Sequence, residues 1–175
     1  KKVILFFGFI RDYKGLDLLI DVMAQLNDEH VLVIAGEVYG SFDKYAQQIT
    51  RLGLQNKIIQ HVRYISDEEV PLFFSSADVC VLPYKSATQS GITSISYHFD
   101  LPLIATDTGG LKESIIHQKT GLIVSSPDSN LISRSIEQYF EQKLKPKFQE
   151  EIRILKGKLS WNGLSDAIIE FSKSL

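Results

Sequence analysis

The sequence predicts an α/β fold in which a mostly parallel sheet carries helices on both faces. Six short apolar runs, rich in β-branched residues, alternate along the 175 residues with patterns of helical period. None of these runs alternates cleanly between apolar and polar residues, which indicates strands buried on both faces. Alternating strands and helices require right-handed crossovers and place a ligand site at the carboxyl ends of the strands.

The predicted strands, in chain order, are residues 3–7, 31–35, 57–62, 78–82, 101–105 and 121–124. Between them, helical period gives two apolar stripes: Leu16, Leu19, Ile20 and Met23, and then Tyr45, Ile49 and Leu52 behind the capping candidate Ser41. A further helix follows Pro127, with Asp128 or Ser129 as its cap. Its apolar side is formed by Leu131, Ile132, Ile136, Tyr139 and Phe140.

The length matches one domain, which we divide into residues 1–142 and a C-terminal helical extension, 143–175. The extension opens with Lys143, Lys145 and Lys147, interpreted as a solvated face, with contact to anionic lipid as the alternative. It closes on a helical stripe that starts at Trp161. Because the chain begins on a strand without Met or an apolar leader, we expect a piece of a longer protein.

Composition excludes several classes of function. A net charge of −2 gives no general attraction to nucleic acid. The apolar runs are far shorter than the roughly 20 residues of a membrane-spanning helix. The single cysteine, Cys80, lies among apolar neighbours and is expected to be a buried thiol. Without a disulfide framework, we expect a cytoplasmic location, with the inner membrane face as the alternative.

The end of the first predicted strand carries features of a phosphate-binding loop. Gly8 permits close backbone approach, the following helix start offers free N–H groups, and Arg11 and Lys14 supply positive charge. Solvated loop residues are the alternative interpretation of the two cations.

The segment 83–94, between a predicted strand and a predicted helix, is rich in small polar residues. Gln89, Ser90 and Gly91 would present N–H groups and short side-chain donors to a pyrophosphate or a sugar hydroxyl. Ordinary capping by Thr88 or Ser90 explains one such residue but not the cluster, and both interpretations stay open.

Few other residues suggest chemistry. Glu37 could bind a ribose or cap its turn. Glu113 could face the site or charge the first turn of its helix, and we prefer the structural role. The four histidines show no metal-ligand spacing and are expected to be mostly surface or capping residues: His30, His61, His98 and His117. We find no local nucleophile or general base and predict no metal.

Taken together, the motifs resemble the C-terminal domain of glycosyltransferase family 4. The ordered set is Phe7-Gly8 with Lys14-Gly15, Ile34-Ala35-Gly36-Glu37, Ala77-Asp78-Val79 with Leu82-Pro83-Tyr84, Pro102 to Asp107 with Gly109-Gly110-Leu111 and Glu113, and Thr120 to Val124. The resemblance covers residues 3–124, and the ordered set is specific although each piece is not.

The resemblance implies one Rossmann-like half of a GT-B fold, which holds a nucleotide-sugar donor, UDP- or GDP-linked. The acceptor would bind a separate N-terminal half, absent here. Transfer to a glycan or lipid-linked acceptor would retain anomeric configuration and need neither metal nor cofactor. By position, Gly8 and Lys14 match the family's diphosphate loop, and Tyr64 and Ile65 the segment whose backbone meets the base.

Three positions depart from the family pattern. Phe9 stands where members commonly have an arginine, so Arg11 is assigned as its substitute. Ala87 and Ile95 stand where paired glutamates hold sugar and ribose hydroxyls, so Gln89, Ser90 and Gly91 are assigned to donor contact. These losses leave two alternatives, a non-catalytic nucleotide-sugar-binding module and a GT-B sugar-nucleotide epimerase.

Overall fold

The computed structural model describes residues 1–158, 169 and 172. Its strands are β1 (Lys2–Phe7), β2 (His30–Ala35), β3 (Ile58–His61), β4 (Val79–Leu82), β5 (Leu103–Thr106) and β6 (Gly121–Val124). The α-helices are α1 (Leu16–Gln25), α2 (Asp43–Arg51), α3 (Val70–Ser76), α4 (Gly91–His98), α5 (Leu111–Ser114), α6 (Ser129–Glu141) and α7 (Lys145–Lys158). A short 3₁₀ helix spans Asp12–Lys14.

The six strands form one parallel sheet in the order β3-β2-β1-β4-β5-β6. The chain winds outward from β1 through β2 to β3, then returns to the other side of β1 as β4. The order therefore reverses between β1 and β4, and a crevice opens there at the carboxyl ends of the strands. The predicted α/β fold with a parallel sheet is confirmed.

The sheet is buried on both faces because successive side chains of β1 point to opposite sides. Ile4 and Phe6 enter a core with apolar residues of α1, α2 and α6. Leu5 and Phe7 enter a second core with residues of α3, α4 and α5. Helices therefore cover both faces, as predicted, and the loops that follow the strands gather at the carboxyl ends of the strands.

The predicted strand positions are confirmed with small differences at their ends. Strand β4 begins at Val79, one residue later than predicted. The carboxylate of Asp78 accepts a hydrogen bond from the Val3 N–H (2.8 Å), which joins β1 and β4 near their amino ends. Ser41 lies upstream of α2 and accepts from the Asp43 N–H (3.0 Å). Asp128, not Ser129, caps α6 by accepting from the N–H groups of Asn130 and Leu131. Helix α3 was not predicted.

The solvated interpretation of the lysines is wrong for Lys145. Helix α7 begins at this residue, and its ammonium donates to the Ala77 carbonyl (3.1 Å) and to the Asp78 carboxylate (2.7 Å). Further along α7, Phe148 belongs to the first core and Ile152 to the second. Helix α7 thus crosses the amino ends of the strands and closes that edge. The Trp161 stripe lies outside the described residues.

Candidate functional site

The loops after β1 and β2 meet at the open, carboxyl edge of the sheet through two glycines. The Gly8 N–H donates to the Ala35 carbonyl (2.9 Å), and Gly8 has a φ of 101°. A Cβ on Gly36, whose φ is 146°, would stand 2.1 Å from the Gly8 carbonyl oxygen. Only glycine permits this contact, so the backbone here is set by the two residues together.

A pocket of about 130 Å³ lies beside these glycines. Its lining is mostly apolar and comprises Phe7, Gly8, Phe9, Gly36, Glu37, Tyr64 and Ile65. Four of the nine residues predicted to bind a donor are therefore grouped here, on loops after three neighbouring strands. Phe7, Phe9 and Gly36 were not predicted, although each adjoins a predicted residue in the sequence.

The loop after β3 forms the outer wall of the pocket and is held by an ion pair. Arg63 donates to the Glu69 carboxylate (2.9 Å) and to the Tyr64 carbonyl (2.9 Å). The guanidinium of Arg63 lowers the pKa of Glu69 to about 2. The ring of Tyr64 stays 68% exposed, whereas Ile65 is buried. An aromatic face is thus available to a planar ligand beside the pocket.

Lys14, at the end of the 3₁₀ helix, brings a buried positive charge to the same edge. Its side chain reaches back so that Nζ lies 3.3 Å from the point a Cβ on Gly8 would occupy. The ammonium stands 5.5 Å from the centre of the Tyr84 ring. Among residues 1–158 it has no hydrogen-bond acceptor and no carboxylate partner. Burial, and then the charge of Arg11, lowers the pKa of Lys14.

An unpaired ammonium with only 9% of its residue exposed is costly, because burial removes water without supplying an anion. Such a charge suits an anionic ligand that brings its own oxygens to the site. Arg11 is placed differently from Lys14. Its guanidinium carbon lies 4.8 Å from the centre of the exposed Tyr39 ring, and Arg11 does not line the pocket.

The start of α4 lies across the crevice from Lys14. A Cβ on Gly8 would stand 3.2 Å from Cδ1 of Ile92, in the first turn of α4. Ser90 holds the cap position but makes no side-chain capping bond, because its hydroxyl pairs with the Tyr84 hydroxyl (3.2 Å). A Cβ on Gly91 would meet nothing within 4 Å. The space beside Gly91 is therefore open, and the N–H groups at the start of α4 have no side-chain cap, which leaves room for an anion.

The loop after β5 holds the turn before α4 from the other side. The Thr106 hydroxyl donates to the Tyr84 carbonyl (2.6 Å), and the Gly110 N–H donates to the Thr88 carbonyl (2.9 Å). A Cβ on Gly109 would stand 1.6 Å from the Ala87 carbonyl oxygen. These contacts preorganise the turn that carries Gln89.

Other candidates lie apart from this edge. Cys80 is fully buried, which raises its pKa to about 12, so the prediction of a buried thiol is confirmed. His98 ends α4 and therefore lies at the opposite edge of the sheet. His117 accepts from the Ile123 N–H (2.9 Å), whereas His30 is buried.

The described residues were expected to hold neither a metal site nor a membrane-spanning helix. No three His, Cys, Asp or Glu side chains in that part of the chain are grouped as metal ligands would be. None of the helices formed by those residues is long and apolar enough to span a membrane.

The chain is similar in sequence to one protein family and to several individual proteins. Residues 1–154 match the family model described as "Glycosyl transferases group 1". The Bacillus subtilis (strain 168) protein YtcC is 33% identical over 165 residues, which make up 87% of this chain and 40% of YtcC. D-inositol 3-phosphate glycosyltransferase of Jonesia denitrificans is 30% identical over 131 residues, 70% of this chain and 31% of that protein. The chain thus spans less than half the length of either relative.

Solved structures share the fold. Anabaena Alr3699/HepE in complex with UDP-glucose superimposes with a TM-score of 0.81 at 20% identity, covering 99% of this chain and 49% of that one. The C-terminal domain of the Francisella tularensis glycosyl transferase group 1 family protein LpcC gives a TM-score of 0.80 at 21% identity, covering 90% and 85%.

Proposed function

The chain belongs to the group 1 glycosyl transferases, and from that membership we propose that it binds the nucleotide-sugar donor of such an enzyme. The observation that carries the proposal is the unpaired, buried Lys14 ammonium beside Gly8, opposite the start of α4. A diphosphate supplies the oxygens that both groups lack.

The donor lies along the carboxyl edge of the sheet. Its base occupies the pocket beside Tyr64 and Ile65, and Glu37 accepts hydrogen bonds from the ribose hydroxyls. Its diphosphate lies between Lys14 and the first turn of α4. The complexes of the Anabaena protein with UDP and with UDP-glucose support a uridine nucleotide as the first candidate donor.

Catalysis in this scheme is electrostatic. As the bond from the sugar to the diphosphate breaks, negative charge grows on the leaving phosphate while the sugar becomes oxocarbenium-like. Lys14 and the uncapped N–H groups of α4 stabilise that charge from fixed positions, without a metal. Transfer proceeds with retention of configuration, to a glycan or lipid-linked acceptor.

The acceptor binds a second half of the enzyme that this chain does not include. The support is the coverage of the relatives, since the chain spans 40% of YtcC and 49% of the Anabaena protein. Isolated residues 1–175 are therefore expected to bind donor and to transfer no sugar.

A non-catalytic nucleotide-sugar-binding module is the second candidate, favoured by Ala87 and Ile95. Neither side chain supplies a carboxylate, and both pack against the second core. The two candidates differ only in the complete protein, where an enzyme releases free nucleoside diphosphate from donor and acceptor and a binding module does not.

The experiment is a binding screen of the chain against UDP-, GDP- and ADP-sugars and the matching nucleoside diphosphates, by thermal shift and calorimetry. Ligands that bind the folded state alone raise its stability by mass action. Binding of one nucleotide class over the others supports the proposal and identifies the donor base. Failure of all three classes to bind would overturn it.

A further inference from the structure

Two polar side chains meet around Gly110, in the loop after β5. From the point that a Cβ on Gly110 would occupy, Cγ of Gln89 is 3.6 Å away and Oε2 of Glu113 is 3.7 Å away. The Gly110 N–H also donates to the Thr88 carbonyl (2.9 Å), which ties this loop to the turn before α4. The amide of Gln89 and the carboxylate of Glu113 thus belong to one surface, although they are 24 positions apart in the sequence.

The carboxylate of Glu113 is exposed and has no partner. Within residues 1–158 it makes no hydrogen bond and no ion pair. Two nearby carboxylates are already paired, Asp107 with Lys112 (3.2 Å) and Asp17 with Lys85 (2.6 Å). The Glu113 carboxylate, by contrast, is free to accept hydrogen bonds from a ligand.

The position of Glu113 fits one end of an extended ligand. The apolar pocket is formed by loops after β1, β2 and β3, and the buried ammonium of Lys14 lies where β1 adjoins β4. Glu113 follows β5, on the side of Lys14 away from the pocket. A nucleotide sugar with its base in the pocket and its diphosphate at Lys14 directs its sugar toward β5.

We propose that Glu113, together with Gln89, binds hydroxyl groups of the donor sugar and so selects the sugar. The inference rests on the proposed function. A carboxylate accepts from hydroxyl groups, and an amide both donates and accepts, so the pair matches adjacent sugar hydroxyls. Glu113 lies in the first turn of α5, a helix of four residues that follows β5.

The test compares Glu113→Ala with Glu137→Ala, a change of the same residue type at an exposed position on α6. Calorimetry measures the affinity for UDP, UDP-glucose and UDP-galactose, and for GDP and GDP-mannose. We expect Glu113→Ala to lower the affinity for the sugar nucleotide about tenfold or more. The affinity for the corresponding nucleoside diphosphate should fall less than about twofold. Glu113→Gln should lie between, since the amide oxygen still accepts. Glu137→Ala should change neither affinity.

The outcomes separate this inference from the function it rests on. Equal loss for the sugar nucleotide and the diphosphate, or no loss for either, overturns the role of Glu113 in sugar binding. A lower unfolding stability of Glu113→Ala with unchanged affinities would assign it to the first turn of α5 alone. If the unsubstituted chain binds neither UDP nor GDP nor their sugars, the proposed function fails and this inference with it.

Discussion

The Nζ atom of Lys14 lies 3.3 Å from the point that a Cβ on Gly8 would occupy. The ammonium thus lies beside a glycine that follows β1, and the centre of the Tyr84 ring is 5.5 Å away. No described side chain neutralises it, so its partner is expected from solution.

Replacing this lysine should separate binding from stability. Lys14→Met keeps the apolar length of the side chain and removes the charge, so diphosphate binding should weaken by about 1.5–3 kcal/mol. The free energy of unfolding should not fall, because a buried unpaired charge is lost. Calorimetry and denaturant unfolding measure the two quantities. Lys119→Met, at an exposed lysine in the loop before β6, is the control and should leave affinity intact.

Gly36 and Gly40 both have positive φ values but differ in their surroundings. A Cβ on Gly36 would collide with the Gly8 carbonyl, whereas one on Gly40 would meet nothing within 4 Å. Gly40→Ala should therefore lower the free energy of unfolding by about 1–2 kcal/mol, the cost of a positive φ for a residue with a Cβ. Gly36→Ala should cost at least about 1 kcal/mol more, within the usual range for a single substitution. Similar midpoints in urea would show that the loops after β1 and β2 are not in contact.

Gly91 should be needed for the ligand and not for the fold. Its φ is not positive and the space beside it is open, so Gly91→Val should change stability by less than about 1 kcal/mol. The added side chain would fill the space in front of the first turn of α4 and impair binding of both diphosphate and sugar nucleotide. Undiminished affinity of Gly91→Val would place the diphosphate elsewhere.

Gln89→Ala should lower the affinity for the sugar nucleotide more than the affinity for the diphosphate.

His30 should make the fold sensitive to mild acid. Burial, and then the charge of Lys2, lowers the pKa of His30 below its ordinary value of about 6.5. The unfolded chain therefore binds the proton more readily, and stability should fall as the pH drops below about 6.5. In the variant His30→Gln this loss of stability between pH 7.5 and 5.5 should disappear. In the variant His98→Gln, changed at an exposed site, the loss should remain. Urea unfolding at pH 7.5 and 5.5 measures the difference; identical slopes in all three proteins would contradict the assignment.

Much of the fold could be predicted from the sequence because most strands are largely apolar runs between turns. The exception is β3, where Ile59 and Gln60 are exposed. The run at residues 78–82 and the β4 strand differ only at Asp78, whose carboxylate binds the neighbouring strand. That contact depends on which strands are adjacent, which the local pattern does not specify. Helix α3 was missed because its seven residues are too few to show a helical period.

The site could be predicted in part for a related reason. Glycine at a strand end and a following lysine indicate a phosphate loop, and the structure places Gly8 and Lys14 together. The pairing of Ser90 with Tyr84 and the approach of Glu113 to Gly110 arise from tertiary contacts. No spacing rule contains them, so the sequence left capping by Ser90 open and favoured a structural role for Glu113.

Titration of the chain with UDP, GDP and ADP and with the corresponding nucleosides measures whether the carboxyl ends of the strands hold a diphosphate. At least one diphosphate should bind, and its unphosphorylated nucleoside should bind roughly 100-fold more weakly or worse, since the contacts of Lys14 and α4 are lost. Equal affinity for a nucleoside and its diphosphate, or no binding of any of the three diphosphates, would show that the diphosphate does not bind at Lys14 and α4.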